Sequence, residues 1–201
     1  LTISSVTKTS NGEWVLGLSS ALRSDHLGAK DADGSIRFLP HAGNLSRNIS
    51  VKSENKSGAR GHALFTHRAD VDIRYAAFVS LGRTTGIGQA SRHPAYFRHL
   101  MGPISPQSNG RQFTFVGNAV TCSLDPMPYL WGIALEDSHH GLVKDNVLYN
   151  WMGAGMALVQ GNETDDWIDR NFVVHVQGSG GRENVEGDQG AGIWARGPNS
   201  R

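Results

Sequence analysis

The sequence contains a single cysteine, Cys122, so no disulfide can form within the chain. It has no apolar run long enough to cross a membrane as a helix, and we expect no membrane insertion in this segment. Its 19 basic and 18 acidic residues nearly cancel, which leaves no overall field to attract a nucleic acid or an anionic membrane. Any charged ligand must therefore be recognised by a local group of residues.

Long stretches of helical periodicity are also missing. The apolar runs are short, rich in Val, Ile, Phe and Ala, and bounded by Gly, Asn, Asp and Ser, a pattern typical of strands joined by turns. The 25 glycines suit a fold that has several corners in each repeat. These features predict an all-β chain.

One strand-like block occurs three times in the second half of the chain. It begins near residues 115, 143 and 168 and places an asparagine at Asn118, Asn146 and Asn171, with spacings of 28 and 25 residues. A second theme, built around Gly-Ile-Ala or a similar run, alternates with it at residues 131–135, 154–158 and 191–195. Repetition at this period indicates a solenoid, in which each unit buries its apolar face only against its neighbours.

The pattern predicts a single right-handed parallel β-helix over residues 1–201. Residues 1–46 are a poorly defined N-terminal part, residues 47–201 form the coils, and loops lie near residues 84–91, 101–111 and 178–189. We expect the three asparagines to stack at one corner, where asparagine also tolerates a left-handed backbone. Because the chain starts without Met and ends after a strand-like segment, we expect one or both caps to belong to a longer chain.

Alternation along the strands predicts which side chains point into the bore of the solenoid. Tyr96 and Arg98 flank Phe97, so both should face outward while Phe97 faces the core. The side chains predicted to point inward are Phe97, Val120, Ile133, Val147, Met156, Phe172 and Ile193.

Several motifs together resemble a known β-helix family. They include Arg-Gly-His at residues 60–62, Asp-Val-Asp-Ile-Arg-Tyr-Ala at 70–76, Asp-Ser-His at 137–139, Gly-Asn-Glu at 161–163 and Arg-Gly-Pro at 196–198. The chain resembles bacterial right-handed β-helix proteins related to the region after the G8 domain in fibrocystin-like proteins and in the cell-migration-inducing and transmembrane hyaluronidases. The resemblance covers most of residues 28–201 and implies a carbohydrate-directed β-helix.

The chain departs from the pattern that this resemblance implies at polar positions. Where His-Phe-His is expected after Arg-x-Pro, the chain has Tyr96-Phe97-Arg98. Glu136 stands before Asp137 in place of a histidine, Val159-Gln160 replaces an acidic pair, and Gln189 replaces an acid. The glycines and apolar residues are retained, so the departures bear on function more than on fold.

These polar positions define a candidate site. Counting from the recurrent glycine brings Glu136 and Asp137 to the same place on the coil as Val159 and Gln160, and as Arg196 and Gly197. The candidate catalytic residues are Glu136, Asp137, Tyr96 and Arg98. The candidate substrate-binding residues are Arg92, His99, His139, Gln160, Glu163 and Arg196.

Two kinds of chemistry fit these residues. A glycoside hydrolase needs an acid and a base or nucleophile, usually two carboxylates, for which Glu136, Asp137 and Glu163 are available. A lyase acting on a uronic-acid polymer needs a base and a positive charge, which Tyr96 and the arginines offer. Alternatively, Asp137 and Glu163 fix turns by accepting backbone N–H bonds, and the arginines only aid solubility.

The sequence thus supports an acidic polysaccharide as partner and a secreted or cell-surface location, with two functions open. One is an enzyme on an extracellular glycan, and the other is a non-catalytic glycan-binding or structural module. We predict no cofactor or transition metal, because the adjacent His139 and His140 should point to opposite faces of a strand. Calcium held by carboxylates is left open.

Overall fold

The computed structural model describes residues 1–83, 92–101, 110–122, 131–178, 187 and 189–197. The chain divides into two compact units, Leu1–Ala42 and Gly43–Arg201. The first unit contains two antiparallel hairpins, which pair β1 (Ile3–Lys8) with β2 (Trp14–Leu18) and β3 (Ala29–Lys30) with β4 (Ile36–Phe38). The prediction of one domain over residues 1–201 stays a prediction.

The second unit is built from three parallel sheets. Sheet 1 contains β5 (Ile49–Lys52), β8 (Ala76–Val79), β11 (Ala119–Thr121), β14 (Val147–Trp151) and β17 (Phe172–Val176). Sheet 2 contains β6 (Ala63–His67), β9 (Ala95–Leu100), β12 (Ile133–Glu136), β15 (Met156–Leu158) and β18 (Ile193–Ala195). Sheet 3 contains β7 (Val71–Arg74), β10 (Phe113–Val116), β13 (Gly141–Lys144) and β16 (Trp167–Asp169).

The chain visits the three sheets in strict rotation. From β5 onward every third strand returns to the same sheet and pairs in parallel with the strand one coil earlier. Such crossovers are right-handed, so the unit is a right-handed parallel β-helix. The predicted fold is confirmed, and the first coil begins before residue 60, as expected.

The three repeated asparagines stack at the corner between sheets 3 and 1. The Oδ1 atom of Asn146 accepts the N–H of Asn118 at 2.8 Å, and Oδ1 of Asn171 accepts the N–H of Asn146 at 3.1 Å. Each Nδ2 donates to a carbonyl of the preceding coil, that of Ile73, Phe115 or Val143. The predicted ladder is therefore confirmed, and it satisfies polar groups that are otherwise buried at this corner.

The left-handed residue at this corner is not the asparagine, as the sequence suggested, but the residue before it. Tyr75, Gly117, Asp145 and Arg170 have φ values of 55°, 69°, 54° and 51°. This conformation turns the chain sharply enough for the next side chain to point along the axis toward the preceding coil. Asparagine is placed here for its amide hydrogen bonds rather than for its own backbone tolerance.

The bore contains most of the predicted core. Phe97, Val120, Ile133 and Met156 are fully buried in one apolar cluster. Ile193 lies in register with Met156, but it belongs to the last strand and is 47% exposed.

For two residues the prediction that the side chain points into the bore is wrong. Val147 and Phe172 pair with each other, and they lie one position before Leu148 and Val173, which do pack in the core. They face outward, where the chain at Gly43 passes over them. Because apolar side chains lie on both faces of sheet 1 at these positions, alternation along the strand could not tell the two faces apart.

Other expectations concern single features. Cys122 is buried. Of the loops predicted near residues 84–91, 101–111 and 178–189, residues 84–91, 102–109, 179–186 and 188 lie outside the described residues. In the part of the chain that the structure describes, no helix is long and apolar enough to cross a membrane.

Replacing Ile133 with Ala should lower the free energy of unfolding by about 2–5 kcal/mol, because it removes a buried side chain and leaves a cavity. Val173 and Val174 form a matched pair on one strand, with Val173 packed on the core and Val174 on the opposite face. Val173→Ala should destabilise more than Val174→Ala in chemical denaturation. The reverse order would contradict the register described here.

Asn146→Ala should also be costly, because it leaves the buried N–H of Asn118 and the carbonyl of Phe115 without this partner. Leaving a buried polar group unsatisfied costs about 1–3 kcal/mol. Asn44→Ala, at an exposed position, is the control. Equal denaturation midpoints for the two variants would show that the ladder does not stabilise the fold.

Candidate functional site

The predicted column of polar positions exists on the outer face of sheet 2. The strand register aligns Thr66 with Arg98 and Arg98 with Glu136. Leu135, Leu158 and Ala195 are also aligned, which puts Val159 and Arg196 in the same column one residue later. We call these five residues, Thr66, Arg98, Glu136, Val159 and Arg196, the outer column. Neighbouring members are separated by one strand spacing, ~4.8 Å.

Glu136 is the acid of the outer column, and its side chain is enclosed. Its Oε2 atom accepts a hydrogen bond from the hydroxyl of Tyr96, and its Oε1 atom lies 3.4 Å from Nε of Arg98. The Glu136 side chain is 14% exposed, whereas that of Arg98 is 45% exposed. Arg98 thus pairs with Glu136 and still presents part of its guanidinium to solvent.

Tyr96 faces away from the bore, as predicted, but it is buried. The His93 ring packs edge-on against Tyr96 at a centroid distance of 5.2 Å and stacks on Trp131 at 4.6 Å. His93 Nδ1 accepts the N–H of Trp131, and burial lowers the pKa of His93 to about 3, so this imidazole is neutral. The aromatic packing holds the Tyr96 hydroxyl against Glu136.

Asp137 directly follows Glu136 in the chain, and side chains from both neighbouring coils contact it. Its Oδ2 atom accepts from His99 Nδ1 at 2.9 Å, and its Oδ1 atom accepts from Asn162 Nδ2 at 2.6 Å. His139 Nε2 lies 3.6 Å from the same Oδ1, while its Nδ1 accepts the N–H of Thr164. Asp137, His99 and His139, all three candidates from the sequence, therefore lie together in one cluster.

Glu163 is fully buried and serves the backbone. Its carboxylate accepts the N–H groups of Asp137, Gln160 and Gly161 at 3.1, 2.9 and 2.7 Å. It thereby fixes the turn that carries Gln160 and Asn162. This arrangement matches the structural alternative for Glu163, whereas Asp137 is held mainly by side chains.

The remaining candidates are distributed around this cluster. Gln160 is exposed at the turn, and its side chain forms a hydrogen bond with Glu136. Arg196 is exposed two coils beyond Glu136 in the outer column. Arg92 is half-buried beside His62, whose pKa is lowered by burial and by the charges of Arg92 and Arg83.

The pKa values of the neighbouring acids Glu136 and Asp137 are shifted in opposite directions. Burial raises the pKa of Glu136, and the charges of Asp137 and Glu163 add to this, against the hydrogen bond from Gln160. The hydrogen bond from His99 lowers the pKa of Asp137, with a further contribution from Asn162. Glu136 is therefore easier to protonate and Asp137 easier to ionise than an ordinary carboxylic acid, which is the division of roles that acid–base chemistry requires.

Sequence reasoning missed the parts played by His93, Trp131 and Asn162. His93 and Asn162 were visible inside the family-like motifs, but nothing local showed that they contact Tyr96 and Asp137. His93 lies three residues before Tyr96, and its ring stacks on Trp131 of the next coil. Asn162 likewise reaches Asp137 from the next coil. The contacts of Trp131 and Asn162 therefore depend on the coil register.

Metal binding has no support from side-chain clustering. Within the described ranges, no group of three or more His, Cys, Asp or Glu residues is arranged to hold a metal ion. The absence of a cofactor or transition metal stays a prediction, with calcium left open.

Asp166 is a buried acid that the sequence did not single out. Its Oδ1 atom accepts the N–H of Gly141 at 2.6 Å, and its Oδ2 atom is buried without a partner among the described residues. Burial raises its pKa to about 7, and the nearby charge of Glu163 adds to this. An acid whose pKa is higher in the folded state binds its proton more tightly there than in the unfolded chain.

The stability contributed by Asp166 should therefore be fully present below about pH 4 and lost as the pH rises to about 7, an effect on the order of a few kcal/mol. Asp166→Asn should remove this dependence and be more stable than the parent above pH 7. Asp145→Asn is the control with opposite sign, since Arg170 lowers the pKa of that exposed acid. Denaturation midpoints at several pH values test this, and parallel parent and Asp166→Asn profiles would contradict it.

Comparison with known proteins identifies one family. A family model described as CEMIP beta-helix matches residues 58–194, more than half of the chain. The match includes Tyr96, Arg98, Glu136 and Asp137 and ends two residues before Arg196. No curated protein and no solved structure matches significantly.

Proposed function

The chain belongs to the CEMIP β-helix family, and from that premise we propose that the outer face of sheet 2 binds an acidic extracellular polysaccharide and hydrolyses it. The protein would act outside the cell, where such polymers occur, and a hyaluronan-like polymer of uronic acid and amino sugar is the first substrate to test. The observation that carries the proposal is the pair Glu136 and Asp137, two adjacent acids with pKa values shifted in opposite directions.

In this reaction the two acids have different roles. Glu136, which its enclosure makes the easier of the two acids to protonate, donates a proton to the oxygen of the leaving sugar. Asp137, ionised through its hydrogen bonds to His99 and Asn162, acts as the base or nucleophile. Tyr96 orients Glu136 through its hydroxyl.

Substrate binding is assigned to the cationic and amide groups around this pair. Arg98 and Arg196 lie in one column on either side of Glu136, so they can meet carboxylates of successive parts of a polymer. His99, His139 and Gln160 line the same edge and offer hydrogen bonds to hydroxyls. Glu163 supports this edge through its backbone contacts, and Arg92 lies farther along the face.

A lyase is the second catalytic candidate, and one observation favours it. Tyr96 and Arg98 converge on Glu136, so a phenol and a guanidinium lie together where a proton next to a uronate carboxylate would be removed. A non-catalytic binding module is the third reading, favoured by the loss of the expected His pair and of the acids at Val159 and Gln160. Reducing ends without ultraviolet absorbance indicate hydrolysis, absorbance of an unsaturated uronate indicates elimination, and binding without either product indicates a module.

Turnover should follow a bell-shaped pH profile. Activity falls at high pH as Glu136 loses its proton, at a pKa above the ordinary value, and at low pH as Asp137 gains one, at a pKa below the ordinary value. Glu136→Gln and Asp137→Asn should each reduce kcat at least 100-fold, within the roughly 10²–10⁴-fold range of general acid–base catalysis, with little change in binding.

Asp72→Asn serves as the control, because this exposed acid lies on sheet 3 and pairs with Arg74. Full activity of Glu136→Gln or Asp137→Asn would overturn the assignment of the acids. Failure of uronate-containing oligosaccharides to bind at all, in calorimetry or on a glycan array, would overturn the proposed function itself.

A further inference from the structure

We propose that Arg98 senses a carboxylate of the bound sugar and thereby loads Glu136 with its proton, so that the acid is ready only when an acidic sugar is in place. The inference rests on the proposed function and goes beyond it, because it assigns substrate selectivity to a single coupled pair. It makes Arg98 a specificity-determining residue rather than a simple anchor.

The geometry of the pair allows this coupling. Arg98 reaches Glu136 Oε1 through Nε at 3.4 Å, and its side chain is 45% exposed. A guanidinium offers donors on two edges, so one edge can stay near Glu136 while the other meets a planar carboxylate bidentately. Glu136 itself is only 14% exposed, so contact with the sugar carboxylate is assigned to Arg98.

The groups around Glu136 leave Arg98 as the main opposing charge. Tyr96 and Gln160 contact it as neutral hydrogen-bond partners, and Val159, next in the outer column, is apolar. Asp137 and Glu163 are negative and favour protonation of Glu136. Among the described residues, Arg98 is the cation that pairs with Glu136. Its positive charge favours the ionised form of Glu136.

A substrate carboxylate would change this balance. Pairing with Arg98 compensates the positive charge that stabilises ionised Glu136 and brings another negative charge to the same enclosed place. Both effects increase the proton occupancy of Glu136, and the proton comes from solvent. A neutral sugar at the same position would exclude water but would leave the Arg98–Glu136 pair as it is. Binding of the acidic sugar should therefore be accompanied by proton uptake.

The experiment is isothermal titration calorimetry of the whole chain with a glucuronate–N-acetylglucosamine octasaccharide, in buffers of different ionisation enthalpy. Measurements run from pH 5 to pH 7. A chitin octasaccharide is the neutral probe of the same length. The slope of the observed enthalpy against the buffer enthalpy gives the number of protons taken up.

We expect proton uptake with the acidic probe that is lost in both Glu136→Gln and Arg98→Ala, while Glu136→Gln still binds. Arg98→Ala should weaken binding of the acidic probe about 10–100-fold, since a charge-assisted hydrogen bond contributes about 1.5–3 kcal/mol. Arg74→Ala is the matched control, because this half-exposed arginine pairs with Asp72 on a different sheet. Its uptake and affinity should equal those of the parent.

The outcomes separate this inference from the proposed function. If the acidic probe binds but uptake is absent, or persists in Glu136→Gln, the coupling is overturned while acidic-glycan binding stands. Equal uptake with the neutral probe overturns it as well, because desolvation alone would then load the acid. If the acidic probe does not bind, the proposed function fails and this inference fails with it.

Discussion

Every coil of this β-helix depends on the coil before it, because no coil can satisfy its backbone or bury its apolar face alone. The asparagine ladder at the corner between sheets 3 and 1 makes this dependence explicit. In three successive coils an asparagine side chain accepts a backbone N–H of the coil before it and donates to a carbonyl of that same coil. The ladder sets the register of neighbouring coils, and the register decides which side chains share a column.

The candidate site is a consequence of that register. Arg98, Glu136 and Arg196 are far apart in sequence but occupy one column, and Tyr96 lies two positions earlier on the strand of Arg98. A slip of one residue in the pairing of β12 would turn Glu136 toward the bore and separate it from Arg98. The stacking that stabilises the fold is therefore also what assembles the polar groups of the outer face.

The ionisation of individual acids in this protein depends on their surroundings more than on the totals of acidic and basic residues. The chain carries nearly equal numbers of acids and bases, yet three acids near the edge of sheet 2 have different surroundings. Glu163 is buried among backbone N–H groups, Glu136 is enclosed with a tyrosine and an arginine, and Asp137 is held by a histidine and an amide. Glu136 and Asp137 thus differ in proton affinity although they are neighbours in a chain without an overall field.

The sequence by itself determined the features that repeat. The three asparagines, the glycine-anchored column through Glu136 and the inward Phe97 could all be predicted, because they follow from periods that the chain displays. Family-like motifs indicated the same fold and the position of the candidate site.

Only the tertiary structure decided what depends on a covering segment or on a neighbouring coil. Val147 and Phe172 face outward because the chain at Gly43 covers that face, and Tyr96 is buried because His93 packs against it. Glu163 became a backbone support and Asp166 a titrating acid through contacts across coils. Burial is a property of the space around a residue, and local sequence does not contain the groups that fill that space.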